Sequence, residues 1–468
     1  MKTNFITLLL ILLCGNLMNA QTIPTDSLYL GQTLPGNVPQ IFHLAVAPGS
    51  FAAERIAISN DNKELFYSGI HNYYPITGDT VRYYRYTADH WTGPFNLFND
   101  YCAPALTVSG DTMFIQNPEV ESFYSIKSSA GWTNPQRFLS NLNTAHYVQV
   151  TNNGNYYTSS IPDTGIGAKD WCRLDLNMPD SAAVSLGLPL NTTGDNLDFF
   201  VPKDESFMIL SKGGMKISYH KDDGNWTNPK SLGDLINFGS GNWGPYVSAD
   251  NKYLFYTTGI LPDYSDTYVY WVRIDSLMDS LRYTNYVPYL KNFIPQQYGY
   301  VGQQFTFTIP DSTFIDDDGN NTLTYSAKLT NGSPLPGWLS FDSITAAFSG
   351  KPNTIQSLNI RIKATDDAGA FIYTIFKIVV LESTSIPSRK AGGIRVFPNP
   401  TSGKLNILID NDMGRTTLAE ILSLEGKLLK QKEFNIETSF DLSDVPKGIY
   451  LLKAKINDEM IFKKICLE

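Results

Sequence analysis

Apolar and polar positions along the first 285 residues follow a phrase that returns five times: a short alternating strand, a polar turn rich in Asp, Asn and Gly, and an aromatic-rich strand. The copies read ERIAISNDNKELFYSG from Glu54, APALTVSGDTMFIQ from Ala103, HYVQVTNNGNYYTS from His146, LDFFVPKDESFMILS from Leu197 and GPYVSADNKYLFYTTG from Gly244. Alternation with period two around a turn predicts an antiparallel hairpin. Measured at the last residue before each turn phrase (Ser59, Val108, Val150, Val201 and Ser248), the copies are spaced by 49, 42, 51 and 47 residues. That period, with about four strands per unit, predicts a β-propeller over residues 21–285.

A second element, W-T-x-P, starts at Trp91, Trp132 and Trp226, after the third strand of a unit. Its Trp is expected to pack between blades and its Pro to cap the outer strand. The middle unit reads NMPDSAAVSLG and has lost the Trp, which marks a degenerate blade. Together the two phrases resemble the PD40 repeat of WD40-like, TolB-type propellers, most closely at Pro245–Tyr256 and Trp226–Leu232. Five hairpins imply five blades. A worn sixth remains open in the N-terminal segment, which is otherwise expected to close the ring by lending an outer strand to the last blade.

The pattern changes near residue 286. Residues 286–382 carry period-two strands such as QFTFTI and LNIRIKA over the length of a β-sandwich. Gly302, Phe305, Phe314, Asp316, Asp318, Gly319, the run Leu335–Asp342, Gly350 and Ala364–Asp366 resemble the dystroglycan-type cadherin-like domain. That resemblance implies a Ca2+ site, and Asp316, Asp317, Asp318, Asn320, Asp366 and Asp367 supply the oxygen ligands a hard cation takes. The spacing is not that of an EF-hand, and a polar turn capped by Asp and Gly accounts for the same residues.

After a polar linker at 383–393, residues 394–468 form a short all-β module. Pro398, Asn399, Pro400 and Gly403 are followed by Gly426 and Lys427, by Gly448 and Tyr450, and by a basic-apolar end at Lys463 and Lys464. This order resembles the type A sorting domain of the type IX secretion system. It implies the type IX machinery as a partner, export through the periplasm to the outer-membrane surface or beyond, and removal of the tail. The first residues, with Lys2, an apolar run from Phe5 to Leu13 and Ala20 before Gln21, read as a signal peptide over residues 1–20.

Composition agrees with this all-β order of propeller, cadherin-like sandwich and small C-terminal sandwich. Tyr 27, Phe 26 and Gly 35 against 17% charged residues suit short strands and tight turns. A formal net charge of −9 and the absence of a basic run argue against nucleic acid or an anionic membrane as partner. No segment after the leader is apolar enough for a membrane span. Cys102, Cys172 and Cys466 cannot all pair, so disulfides do not carry the fold.

No zincin, nucleophile-elbow or phosphate-loop motif occurs. His43, His71, His90, His146 and His220 are scattered. Glu54, Glu119, Glu121, Asp195, Asp198 and Asp250 lie on loops of the repeats, and a polysaccharide hydrolase or lyase would need two such acids and an Arg such as Arg55 or Arg82 in one mouth. The favoured expectation is a secreted or cell-surface protein whose channel mouth, lined by Tyr73, Tyr74 and Trp243, binds a glycan or an extracellular protein. A passive component of the surface layer is the third reading.

Overall fold

In the computed structural model each repeated phrase forms the two inner strands of an antiparallel sheet. The structure describes residues 23–382 and 394–468, apart from 74–75, 140–141, 143, 178–181, 410–415, 424–425 and 457–458. The signal peptide at 1–20 and the linker at 383–393 lie outside the described residues.

Among the described residues, five sheets of four or five strands succeed one another between residues 40 and 273. The first is Phe51–Ile58, Glu64–Ile70, Thr80–Thr87 and His90–Asn99; the third is His146–Val150, Tyr156–Ser160, Asp170–Asp175 and Ala182–Ser185. Their inner strands adjoin in a ring: Phe51–Ile58 lies beside Cys102–Leu106 and Gly241–Val247, and the latter lies beside Phe199–Phe200. Gln149 joins the third sheet to the fourth, donating to the Phe199 carbonyl and accepting from the Val201 amide. This is a propeller. Its outermost strand in the last sheet comes from the N-terminal segment, with Gln40 opposite Trp271 and Ile41 opposite Tyr270.

The Trp of W-T-x-P packs against the preceding sheet. Trp132 meets Phe66 edge-on at 5.9 Å, and Trp226 joins Trp171 and Tyr157 in one buried cluster. Trp91 faces the N-terminal segment, donating its Nε1 to the Ser27 carbonyl at 2.7 Å. Pro135 and Pro229 stand immediately before the outer strands Gln136–Arg137 and Lys230–Ser231. The third unit keeps its outer strand despite having no such Trp.

One element departs from the all-strand expectation. The helix Asp275–Tyr283 follows the last propeller strand, and its Leu277, Met278 and Leu281 pack on the apolar cluster shared by the fourth and fifth sheets. The sandwich then stacks the sheet Gln297–Tyr300, Phe371–Leu381, Gln356–Thr365, Thr324–Leu329 on Phe305–Thr308, Ala347–Gly350, Leu339–Asp342. Phe348, Ile360, Ile362 and Ile378 fill its core. Propeller and sandwich belong to one compact unit; the second unit begins at Glu382.

That second unit is itself two sheets, of three and four strands, closed on a core of Leu405, Ile407, Ile421, Leu442 and Ile465. Asn399 ties the Pro-Asn-Pro turn to the final strand Glu459–Leu467. Its Nδ2 donates to the Lys464 carbonyl at 2.7 Å, and its Oδ1 accepts from the Cys466 amide at 2.8 Å. Gly426 takes a positive φ of 84° in the turn that precedes Lys427. Lys463 and Lys464 stand exposed on the last strand, and the Tyr450 hydroxyl donates to the Pro446 carbonyl at 2.5 Å.

Candidate binding mouth and the polar centre of the ring

Four of the five inner strands carry a bulge at the same place. The register breaks between Ala53 and Ala57, Cys102 and Ala105, His146 and Gln149, and Trp243 and Tyr246. Within each break one residue adopts left-handed backbone: Glu54 at φ 63°, Ala103 at 54°, Tyr147 at 57° and Gly244 at 59°. Left-handed backbone is costly for residues other than Gly, so packing must hold it. The bulges bring Glu54, Arg55, His146 and Tyr147 to the centre of the ring, where they meet Asp198 from just before the fourth inner strand.

These groups pair with one another, although Arg55 Nε and His146 Nδ1 are buried without a hydrogen-bond partner. The Tyr147 hydroxyl donates to Glu54 Oε2. His146 Nε2 lies 2.6 Å from Asp198 Oδ1, and Asp198 Oδ2 accepts the Gly244 amide at 3.0 Å. The Arg55 guanidinium sits 3.8 Å from the centre of the Tyr147 ring, and Nη2 donates to the Phe199 carbonyl at 3.0 Å. Burial pulls the Arg55 pKa down to about 10, against the opposing influence of Tyr147, Asp198 and Glu54. Gln149 completes the join, with Nε2 on the Phe199 carbonyl and Oε1 on the Val201 amide. The fourth inner strand is only two residues long, so side chains from its neighbours satisfy its backbone.

Two acids and an Arg thus meet, as an enzyme would require, but in the buried core of the ring, and each already has protein partners. Glu121 pairs with Arg137 at 2.6 Å, and Asp250 accepts from Ser248 Oγ at 2.6 Å; neither joins the central group.

Above this plug, on the side of the hairpin turns, opens a cavity of about 260 Å3. Arg55 and Gln149 lie at its floor, Phe200, Val201 and Tyr246 form apolar wall, and Asn60, Asn152 and Asn251 stand on its turns. Lys203 reaches across it: Nζ donates to Asn60 Oδ1 at 2.5 Å and lies 3.5 Å from the Val108 carbonyl. Partial burial lowers the Lys203 pKa. Of the aromatic lining expected from sequence, Trp243 is not at this mouth. Trp243 sits at the opposite end of its strand, edge-on to Tyr264 at 5.3 Å, while Tyr74 and the side chain of Tyr73 lie outside the described residues. Phe200, Tyr246, Gln149 and Lys203 went unnoticed in the sequence, although each flanks a repeated turn.

The acidic turn of the sandwich faces the propeller. Asp317 accepts Lys221 Nζ at 2.9 Å and the Asn228 amide at 2.6 Å. Asp318 accepts the Tyr286 amide at 2.5 Å, and Asp366 accepts Asn285 Nδ2 at 3.0 Å and the Ala370 amide at 2.7 Å. Asn320 caps the turn through the Asp316 amide. Asp316 is buried with Oδ2 unpartnered, and burial, with Asp318, Asp366 and Asp317 nearby, raises its pKa. Asp367 is exposed. Among the described residues no three His, Cys, Asp or Glu side chains stand close enough to hold a metal ion. Lys221 and Asn228 thus tie the turn to the propeller through Asp317.

Residues 287–381 match a family described as "Putative Ig domain", and residues 395–468 match the secretion system C-terminal sorting domain. No curated protein matches the chain. Among solved structures it is similar to TolB from Acinetobacter baumannii, at 13% identity over 46% of this chain and 53% of that one, with a TM-score of 0.32. It is also similar to the extracellular domain of a "putative hybrid two component system" from B. thetaiotaomicron, at 11% identity over 71% and 44%, with a TM-score of 0.30. In both cases the chain spans less than two thirds of the other protein's length. Among the described residues no helix is long and apolar enough to cross a membrane. The chain is therefore an all-β protein with a propeller and an Ig-like domain, whose C-terminal sorting domain directs it through type IX secretion to the cell surface or the extracellular space.

Proposed function

We propose that this is a surface or secreted recognition protein whose propeller binds a glycan or protein group in the Lys203 mouth. The observation that carries this reading is the contrast between the two levels of the channel. The acids of the centre are buried and paired, whereas the cavity above offers an apolar wall, a primary ammonium and several amide side chains, which suits selective binding. A hydrolase would need two acids at the mouth; Glu54 and Asp198 do not line it, and Asp204 is the single acid among its described lining residues.

The test is an array of glycans and peptides probed with the full mature chain and with Lys203→Ala. Hits that weaken about tenfold in the variant, a change of about 1.4 kcal/mol, support the mouth. Hits indifferent to Lys203, or an array without hits, would favour the passive structural role.

A further inference from the structure

The outer face of the four-stranded sandwich sheet combines charge and aromatic surface in a way that the rest of the chain does not suggest. Alternation along Gln356–Thr365 and Phe371–Leu381 turns Leu358, Ile360, Ile362, Phe376 and Ile378 into the core. The alternate positions face outward. Phe371, Tyr373 and Ile375 are each about half exposed, at 50%, 51% and 53%, and Tyr298 and Tyr300 extend the apolar surface on the neighbouring strand.

Four cations share this face: Lys328, Arg361, Lys363 and Lys377. No Asp or Glu occupies an outward position on its four strands, although the chain carries a formal net charge of −9. Register places Lys328 directly opposite Arg361. Like charges so paired across antiparallel strands destabilise a sheet. The cations also stand beside the rings, with Lys363 Nζ 3.9 Å from the centre of Phe371 and Arg361 Cζ 5.6 Å from that of Tyr373.

We propose that this face binds an anionic polysaccharide. Sugar rings would lie on Phe371 and Tyr373, and carboxylate or sulfate groups would meet Arg361, Lys363, Lys328 and Lys377. Exposed apolar surface rimmed by charge marks an interaction site, and the single sign of that charge selects a polyanion. Outward residues on one strand repeat about every 7 Å, so Phe371, Tyr373 and Ile375 form a continuous exposed row suited to an extended chain. Export to the cell surface or beyond favours polysaccharide over nucleic acid.

The test is affinity electrophoresis of the full mature chain in gels containing polygalacturonate, heparin or neutral dextran, with single-stranded poly-dT and phosphatidylglycerol vesicles as competitors. Wild type should be retarded by the acidic polymers and not by dextran. Its affinity should fall about tenfold between about 50 and 200 mM salt. Arg361→Gln with Lys363→Gln should lose about tenfold in affinity and flatten the salt dependence, and Tyr373→Ala should weaken binding with the salt dependence kept. Tyr373 is exposed and Arg361 and Lys363 are half-buried on the outer face, away from the core, so thermal midpoints should stay near wild type. Absence of retardation, retardation unchanged in these variants, preference for poly-dT or vesicles, or loss in Lys203→Ala instead would each overturn the proposal.

Discussion

Asp79 offers the sharpest physical test of the ring. It lies just before the strand Thr80–Thr87, is 1% exposed, and neither of its carboxylate oxygens has an N–H or O–H donor. The Cys102 thiol is its polar neighbour, while Glu54 and Asp100 add negative charge nearby. Burial, followed by those charges, raises its pKa from the ordinary 3.8 to about 6. The folded state therefore binds this proton more tightly than the unfolded chain. Its stabilising contribution is complete below about pH 4 and is lost as pH rises towards 6, after which it stays lost. The gap corresponds to roughly 3 kcal/mol. Asp79→Asn keeps the shape and cannot ionise, so the stability difference between variant and wild type should move by about that amount, in the variant's favour, between pH 4 and pH 7. Urea denaturation of both proteins at several pH values, followed by Trp fluorescence, reads the difference. Any constant offset from burying the amide cancels in this comparison. Parallel pH profiles would refute the claim that Asp79 is held in a site without donors.

Three further outcomes follow from the same geometry. Lys221→Ala leaves Asp317, whose side chain is 1% exposed, without its charge partner; breaking a buried pair in this way costs about 3–5 kcal/mol, and calorimetry should show the sandwich melting apart from the propeller. Because Lys221 neutralises Asp317, Ca2+ titrated into the full chain should leave the melting midpoint unchanged. A Ca2+-dependent rise abolished by Asp316→Asn would establish a cation site at the acidic turn instead. Phe42 packs against Phe255 at 5.1 Å and Trp271 at 5.0 Å, so Phe42→Ala should cost about 3–5 kcal/mol and expose the outer edge of the fifth sheet, visible as a lowered midpoint and greater aggregation.

The recurring turns and aromatic strands made the hairpins legible, because both sides of each hairpin are local in sequence. Even the joining of the N-terminal segment to the last sheet could be anticipated from the need to cover an edge. The helix Asp275–Tyr283 was missed because strand and helix abut at Arg273–Asp275, so TYVYWVRIDSL reads as one run; the spacing of Leu277, Met278 and Leu281 carried the helical signal. The central plug was legible only as separate residues. Glu54 meets Tyr147, and Arg55 meets Phe199 across 144 positions, which no local pattern encodes. The same holds for Lys221 and Asp317. The basic face escaped detection for another reason: its cations sit at alternate positions among core residues, so no run of positive charge appears until the pleat sorts the two faces.

The closure of the ring also sets an order of events. Gln40 and Ile41 emerge early from the ribosome, yet their partners Trp271 and Tyr270 follow about 230 residues later. Such distant pairing is slow, since the loop between must be gathered before the contact rewards it. The first strand therefore has no partner in its own neighbourhood, and only the last sheet can take it as a fourth member. The propeller is sealed by the pairing of an early segment with a late one, which makes the stretch from Gln40 to Ile41 the last joint of the ring. A block that keeps it occupied until Arg273 has appeared would hold the whole protein open.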